Sequence, residues 1–369
     1  MDEITAVVYY WLMSRGITRR AFLKLSAALI AYAGLPAERL IAASSGPGEL
    51  DTESDLLVGR AQFSLAVRSH PSYGAPVLLW LKPDTPLNLL SAVMGDRPNS
   101  YNNVWYLIPG GYVHSAWVQP MAHYGPQPVE HEIPEWGFWG EVCRPPGGAI
   151  AREAPYNNAK EDYRLYFGTV HHVISVVDDP AGGSWYQIYD ELPPPTTHWV
   201  RAHHVRRLTE WDLRPVSPHI PLENKRIEVN LSGQTVICYE GDQAIFFCRC
   251  ASGAVFSYAD GSSEDFSTPK GEHVVLLKQP SRHMQGGVEG EDDYFDLPGV
   301  PWNTFFTYAG VAIHGTYWHN DYGVPRSHGC VNVSPQAAHW IYRWTYPIAP
   351  YEDDYVQSDR SIGTRIIVV

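Results

Sequence analysis

The sequence has little of what several large protein classes need. Only 18% of its residues are charged, and 40 Asp and Glu against 27 Lys and Arg give a formal net charge of −13. A nucleic-acid binder needs a basic footprint, so that class goes first, and solubility accounts for the acidic balance. Runs of Ala, Glu, Lys and Leu at helical spacing are nearly absent after residue 45, which excludes long helical bundles. Cysteine is also scarce: Cys143, Cys238, Cys248, Cys250 and Cys330. Cys248 and Cys250 share one face of a strand-like run, but no zinc-like ligand spacing surrounds them, so packing or a disulfide fits better. The count is odd, and at least one thiol is unpaired within the chain.

What is abundant points to β structure. The 31 Gly, 30 Pro, 13 Trp and 23 Tyr favour many short strands joined by tight turns. A chain of 369 residues has room for two to four domains.

The front reads as an export signal over residues 1–45. Thr18-Arg19-Arg20-Ala21-Phe22-Leu23-Lys24 has the twin-arginine pattern. The apolar stretch from Leu25 to Leu35 is too short for a comfortable membrane span. Small residues at Ala42, Ala43, Ser44 and Ser45 offer a cleavage region, and an uncleaved anchor is the alternative. Met13 is a more natural start for such a signal than Met1. Residues 1–43 carry a net +2, so the remainder carries about −15. The expected partner of this segment is the twin-arginine export machinery, and the expected location is outside the cytoplasm, at the cell wall.

Two stretches repeat one pattern. The first runs from Ala61-Gln62-Phe63 through Val77-Leu78-Leu79-Trp80-Leu81 to Val104-Trp105-Tyr106 and closes at Trp117-Val118. The second runs from Ala149-Ile150-Ala151-Arg152 through Val173-Ile174-Ser175 to Trp185-Tyr186 and closes at Val205. Both are short alternating strands separated by Gly, Pro, Asn or Asp turns. They resemble bacterial SH3-like barrels, over residues 57–121 and 138–210. The resemblance implies either wall binding through exposed Trp and Tyr or spacer modules whose aromatics fill small cores. The pairs His171-His172 and His203-His204 make poor metal sites, since neighbours in a strand point to opposite faces.

From Lys225 the chain stays β-rich until Ser334. The segment Val311-Ala312-Ile313-His314-Gly315-Thr316 delivers a histidine at a strand end. Arg326-Ser327-His328-Gly329-Cys330-Val331-Asn332 then presents a thiol in a compact turn. Ser334-Pro335 reads as a helix start, with Ser as N-cap and Pro at the first helical position. The thiolate is the reactive form of cysteine, and a nearby imidazole can take its proton. Gly329 permits an unusual turn whose backbone N–H groups can face an oxyanion. A zinc site built from Cys330, His314, His319 and His328 is the sharpest structural rival.

These residues, with Thr268-Pro269-Lys270-Gly271 before them, resemble in order the L,D-transpeptidase (YkuD-like) family, over residues 224–369. The resemblance implies a mainly β fold: two small barrels, then a β-rich catalytic domain with a short helix after the nucleophile. It implies a cysteine acyltransferase with Cys330 as nucleophile and His314 as base. The Gly315 carbonyl orients the imidazole, and His328, Gly329 and Cys330 supply oxyanion amides. His328 and Asn332 shape the site, Arg326 and Ser327 line the turn and touch substrate, and Tyr308 and Trp302 belong to a flap over the cleft, with Asn332, Tyr308 and Trp302 counted among the substrate-binding residues. The implied substrates are peptidoglycan stem peptides as donor and acceptor, joined through a Cys330 thioester into a 3–3 crosslink, with no metal and no organic cofactor. L,D-carboxypeptidase action on the same thioester and a non-catalytic wall-binding role are the alternatives.

Overall fold

A computed structural model describes residues 57–369 apart from 97–100, 123, 124, 145, 181, 259, 260 and 291–293. The twin-arginine segment lies outside the described residues. Among those described, no helix is long and apolar enough to cross a membrane.

The described residues form two units, one within 57–122 with 318–321, the other within 125–317 with 322–369. In the first, a five-stranded sheet runs Val77–Leu81, Leu65–Arg68, Gly111–His114, Val104–Ile108, Ser91–Met94. A three-stranded sheet adds Pro86–Leu89, Leu57–Ala61 and Val118–Met121. Alternation buries Leu65, Val67, Leu87, Leu89, Tyr106, Val113 and Val118 in one small core.

The second unit begins with the same strand order. Glu161–Leu165, Ala149–Arg152, Thr196–Arg201, Ser184–Asp190, Val170–Asp178, Phe138–Val142 and Val205–Arg207 make one sheet. Both copies place a three-residue 3-10 turn, Ser115–Trp117 or Ala202–His204, before the last strand. Both shift register at an arginine, Arg68 or Arg152, whose guanidinium donates to the carbonyl seven residues on, Ala75 (2.8 Å) or Ala159 (2.7 Å). The repeat is therefore real down to single hydrogen bonds. His203 and His204 depart from expectation: they sit in the 3-10 turn, and their rings meet at 4.2 Å instead of pointing apart.

The copies differ at one edge. Val77, Leu78, Leu79 and Trp80 are exposed in the first. The matching strand of the second, Glu161–Leu165, carries Asp162 and Tyr163. There a polar network crosses to the C-terminal part. Asp190 accepts from His283 Nδ1 (2.7 Å), and His283 Nε2 lies 2.5 Å from Asp296. His198 bonds Asp162 (2.9 Å) and faces the same Asp190 oxygen at 3.6 Å. The His283 backbone N–H donates to Glu191 (2.7 Å), and Tyr163 sets its ring edge against both imidazoles.

The C-terminal part has two five-stranded sheets. One runs Gln243–Arg249, Thr235–Glu240, Lys225–Asn230, Arg365–Val368, Gly271–Val274. The other runs Val331–Val333, Ala312–Gly315, Phe295–Phe305, Leu277–Gly286, Val356–Gln357. Their inner faces and the helix Pro335–Trp344 share one core containing Ile227, Val229, Ile313, Val331, Val333, Ile341 and Ile366. Trp139, Val170 and Leu208 of the second repeat belong to that same core. Each such side chain adds roughly 1.5–3 kcal/mol when fully buried. The helix starts where Ser334 and Pro335 place it, with Ser334 Oγ accepting from Ala337 N (3.2 Å). At its other end the buried Lys225 and Lys278 donate to the carbonyls of Trp344 (2.9 Å) and Thr345 (3.0 Å).

Candidate active site

Two short strands place the thiol and the imidazole. Ala312–Gly315 and Val331–Val333 pair in parallel, with Ile313 opposite Val331, His314 opposite Asn332 and Gly315 opposite Val333. Cys330 lies two residues before Asn332. Directly paired residues share a face, so Asn332 and His314 project together, and Cys330 sits in the turn just before the second strand. The apolar Ile313, Val331 and Val333 fill the opposite face and enter the core.

His314 is buried, and its Nδ1 lies 3.2 Å from the Gly315 carbonyl. A carbonyl only accepts, so Nδ1 carries the proton and Nε2 is the basic nitrogen. Gly315 has to be glycine: a Cβ there would come within 2.8 Å of Pro335 Cα and 2.9 Å of Pro301 Cγ. Burial pushes the His314 imidazole down to about 4, against the bond to Gly315. Burial also pushes the Cys330 thiol up to about 11. Both shifts favour the neutral forms, the thiol and the uncharged imidazole.

The turn carrying Cys330 is held from below. Ala251 and Asn332 exchange backbone hydrogen bonds at 2.8 and 2.9 Å. Arg326 and Ser327 N–H groups both donate to Ser252 O, at 2.8 and 3.0 Å, and Ala254 N donates to Ser327 O at 2.9 Å. Ser327 Oγ accepts from Gly329 N (3.2 Å) and donates to the Cys330 carbonyl. Thr268 is buried; it donates to Gly329 O (2.7 Å) and accepts from Gly253 N (2.9 Å). Gly329 has φ +114°, a conformation that side-chain-bearing residues rarely adopt.

The expected site residues divide accordingly. Cys330, His314, Gly315, Asn332, Ser327 and Gly329 come together in this ladder and turn. His328 packs among phenylalanine rings, and Arg326 is exposed at the mouth of the turn. Tyr308 is 83% exposed, two residues from Gly310, whose carbonyl lies 3.9 Å from Cys330 Sγ. Trp302 is the exception. It is 2% exposed, its ring lies tilted against His339 at 4.2 Å beneath the helix, and it belongs to the core, so it is not part of a flap. An indole this large between a strand and the helix gains more from burial than from solvent.

Among the described residues no group of three or more His, Cys, Asp or Glu is arranged to hold a metal ion. All five cysteines are free thiols, so Cys248 and Cys250 serve packing and form no disulfide. Ser252, Gly253 and the three phenylalanines were not foreseen, because their partners lie far along the chain and follow no spacing rule.

Residues 224–368 match the YkuD family model, the L,D-transpeptidase catalytic domain. No curated protein matches the chain. Among solved structures, an L,D-transpeptidase from Xylanimonas cellulosilytica is similar at 24% identity, over 40% of this chain and 60% of that one, with a TM-score of 0.28. A mutant L,D-transpeptidase from Enterococcus faecium is 20% identical over 40% of this chain and 50% of that one, with a TM-score of 0.29. An L,D-transpeptidase from Mycobacterium smegmatis is 16% identical over 53% of this chain and 98% of that one, with a TM-score of 0.31. The chain spans less than two thirds of the length of the first two.

Proposed function

We propose that the chain is an exported peptidoglycan L,D-transpeptidase that works through a Cys330 thioester. The observation carrying this reading is the parallel ladder that sets His314 opposite Asn332, with Cys330 at the end of the turn that leads into the second strand. The family match over residues 224–368, which spans both strands, supports it.

In this reading Cys330 Sγ attacks the carbonyl of the third residue of a stem tetrapeptide while His314 Nε2 takes the thiol proton. The oxyanion is stabilised by amides of the His328–Cys330 turn, and Thr268 holds that turn by its bond to Gly329 O. The tetrahedral adduct collapses, the terminal D-Ala leaves with the proton from His314, and a thioester remains. The amine of an acceptor stem then attacks the thioester, His314 removes its proton, and the thiol is regenerated with a 3–3 crosslink formed. Water in place of the amine would give an L,D-carboxypeptidase. Tyr308 and Arg326, both exposed beside the thiol, are proposed substrate contacts.

The twin-arginine segment supports export to the wall. The two repeats, whose shared topology fits small SH3-like barrels, are proposed as wall-facing modules, with Phe63, Tyr73 and Trp80 as exposed aromatics of the first. Incubating the protein with purified muropeptides and weighing the products tests the reading. Crosslinked dimers, absent with Cys330→Ala, are expected; hydrolysed tripeptides alone would assign the carboxypeptidase, and unaltered muropeptides would end the enzyme reading.

A further inference from the structure

The hairpin of Val255–Ser257 and Ser263–Asp265 is separate from both five-stranded sheets. Phe256 on it, Phe266 just after it and Phe295 across from it are half-buried, and none belongs to a core cluster. Phenylalanines that build no core pack on something else, and here they pack on His328. Phe256 lies flat on the imidazole, with centroids 4.5 Å apart and planes 11° apart. Phe266 meets it near edge-on at 4.7 Å, and Phe295 tilts against it at 5.2 Å. The hairpin base is locked as well. Phe266 N donates to Ala254 O (3.0 Å), and Gly253 has no room for a Cβ, which would fall 1.9 Å from Phe266 O.

His328 immediately precedes Gly329, the residue with the most backbone freedom in the turn. Ser327 Oγ takes the Gly329 N–H and Thr268 takes its carbonyl, and a ring clamped on the face of His328 restrains the residue just before them. We infer that Phe256 is a positioning residue for the thiol turn: by stacking on His328 it works with the Ser327 and Thr268 bonds to hold the Gly329–Cys330 backbone where the reaction needs it. This rests on reading Cys330 as the nucleophile.

The test uses the full chain with Phe256→Ala, Phe256→Leu and Phe256→Tyr. The readouts are amide hydrogen exchange at Gly329 and Cys330, kcat and KM on muropeptides, and the thermal midpoint. Phe256→Ala should speed exchange at both amides at least tenfold and lower kcat at least tenfold, with KM within twofold. Phe256→Tyr should restore both, whereas Phe256→Leu, apolar but not flat, should recover less than half of kcat. Unchanged exchange in Phe256→Ala overturns the inference, and so does a Leu variant as good as Tyr. If Phe256→Ala fails to fold, the Leu and Tyr pair carries the same comparison. Exchange needs no substrate, so a wild-type protein without turnover would sink the transpeptidase reading while Phe256 is still judged on its amides.

Discussion

Asp190→Asn removes the charge at the centre of the network joining the second repeat to the C-terminal part. Burial works against charged imidazoles at His283 and His198, but hydrogen bonds to carboxylates outweigh it and raise both above the usual histidine value. Burial also opposes the Asp190 carboxylate, and the bonds from His198 and His283 still hold it well below the usual range. His171, in the same pocket, is pushed down to about 3 by burial and stays neutral. Breaking a buried charged pair costs about 3–5 kcal/mol. Asn keeps one accepting oxygen, and the pairs His283–Asp296 and His198–Asp162 survive, so about 2 kcal/mol is expected at pH 5.5. The sign with pH follows from the two kinds of shift. The raised histidines stabilise fully below about pH 6.5 and lose that contribution as pH rises through their folded values; the lowered Asp190 contributes above about pH 4. The variant should therefore differ most from wild type near pH 5.5 and by less than about 1 kcal/mol at pH 9.5. The measurement is urea unfolding of both proteins at both pH values, followed by tryptophan fluorescence. The difference must be used, not the wild-type curve alone: burial lowers Lys225 to about 8, which raises stability with pH over the upper part of the range in both proteins. Equal losses at the two pH values, or none at pH 5.5, would refute the reasoning.

Cys330 should alkylate with iodoacetamide at a rate that climbs steadily from pH 6 towards its raised value of about 11; a plateau from pH 5 upward would instead reveal a preformed thiolate–imidazolium pair. Thr268→Val strands the Gly253 N–H and the Gly329 carbonyl, and should cost about 2–4 kcal/mol in denaturant unfolding, with Thr268→Ser recovering most of it. Gly315→Ala drives a Cβ into Pro335 and Pro301, and should cost about 1–3 kcal/mol and lower turnover by displacing the carbonyl that orients His314. Ser334→Ala removes the helix N-cap and should cost about 1 kcal/mol while leaving KM unchanged.

The elements that carry the candidate site were legible because its parts are local. A strand-end histidine, a Ser-His-Gly-Cys turn and a Ser-Pro helix start each occupy a few consecutive residues. The repeat was legible for the same reason, as alternation and turn residues recur in order. The supports were not. Thr268 reaches Gly329, Gln234 ties down Ser252 through bonds of 2.7 and 2.8 Å, and Phe256 and Phe266 from one hairpin meet Phe295 from another strand on His328. Such contacts obey no period. Trp302 was misassigned because an aromatic in a strand near a site looks the same in sequence whether it faces the cleft or the core.

The placement of Trp139, Val170 and Leu208 in the C-terminal core has a consequence for how this protein can be divided. A fragment cut at residue 224 would leave a bare apolar wound where those side chains sit, and it would strip His283 of Asp190. The second repeat shares the core of the C-terminal part, and a shortened protein meant for assay has to begin before Phe138.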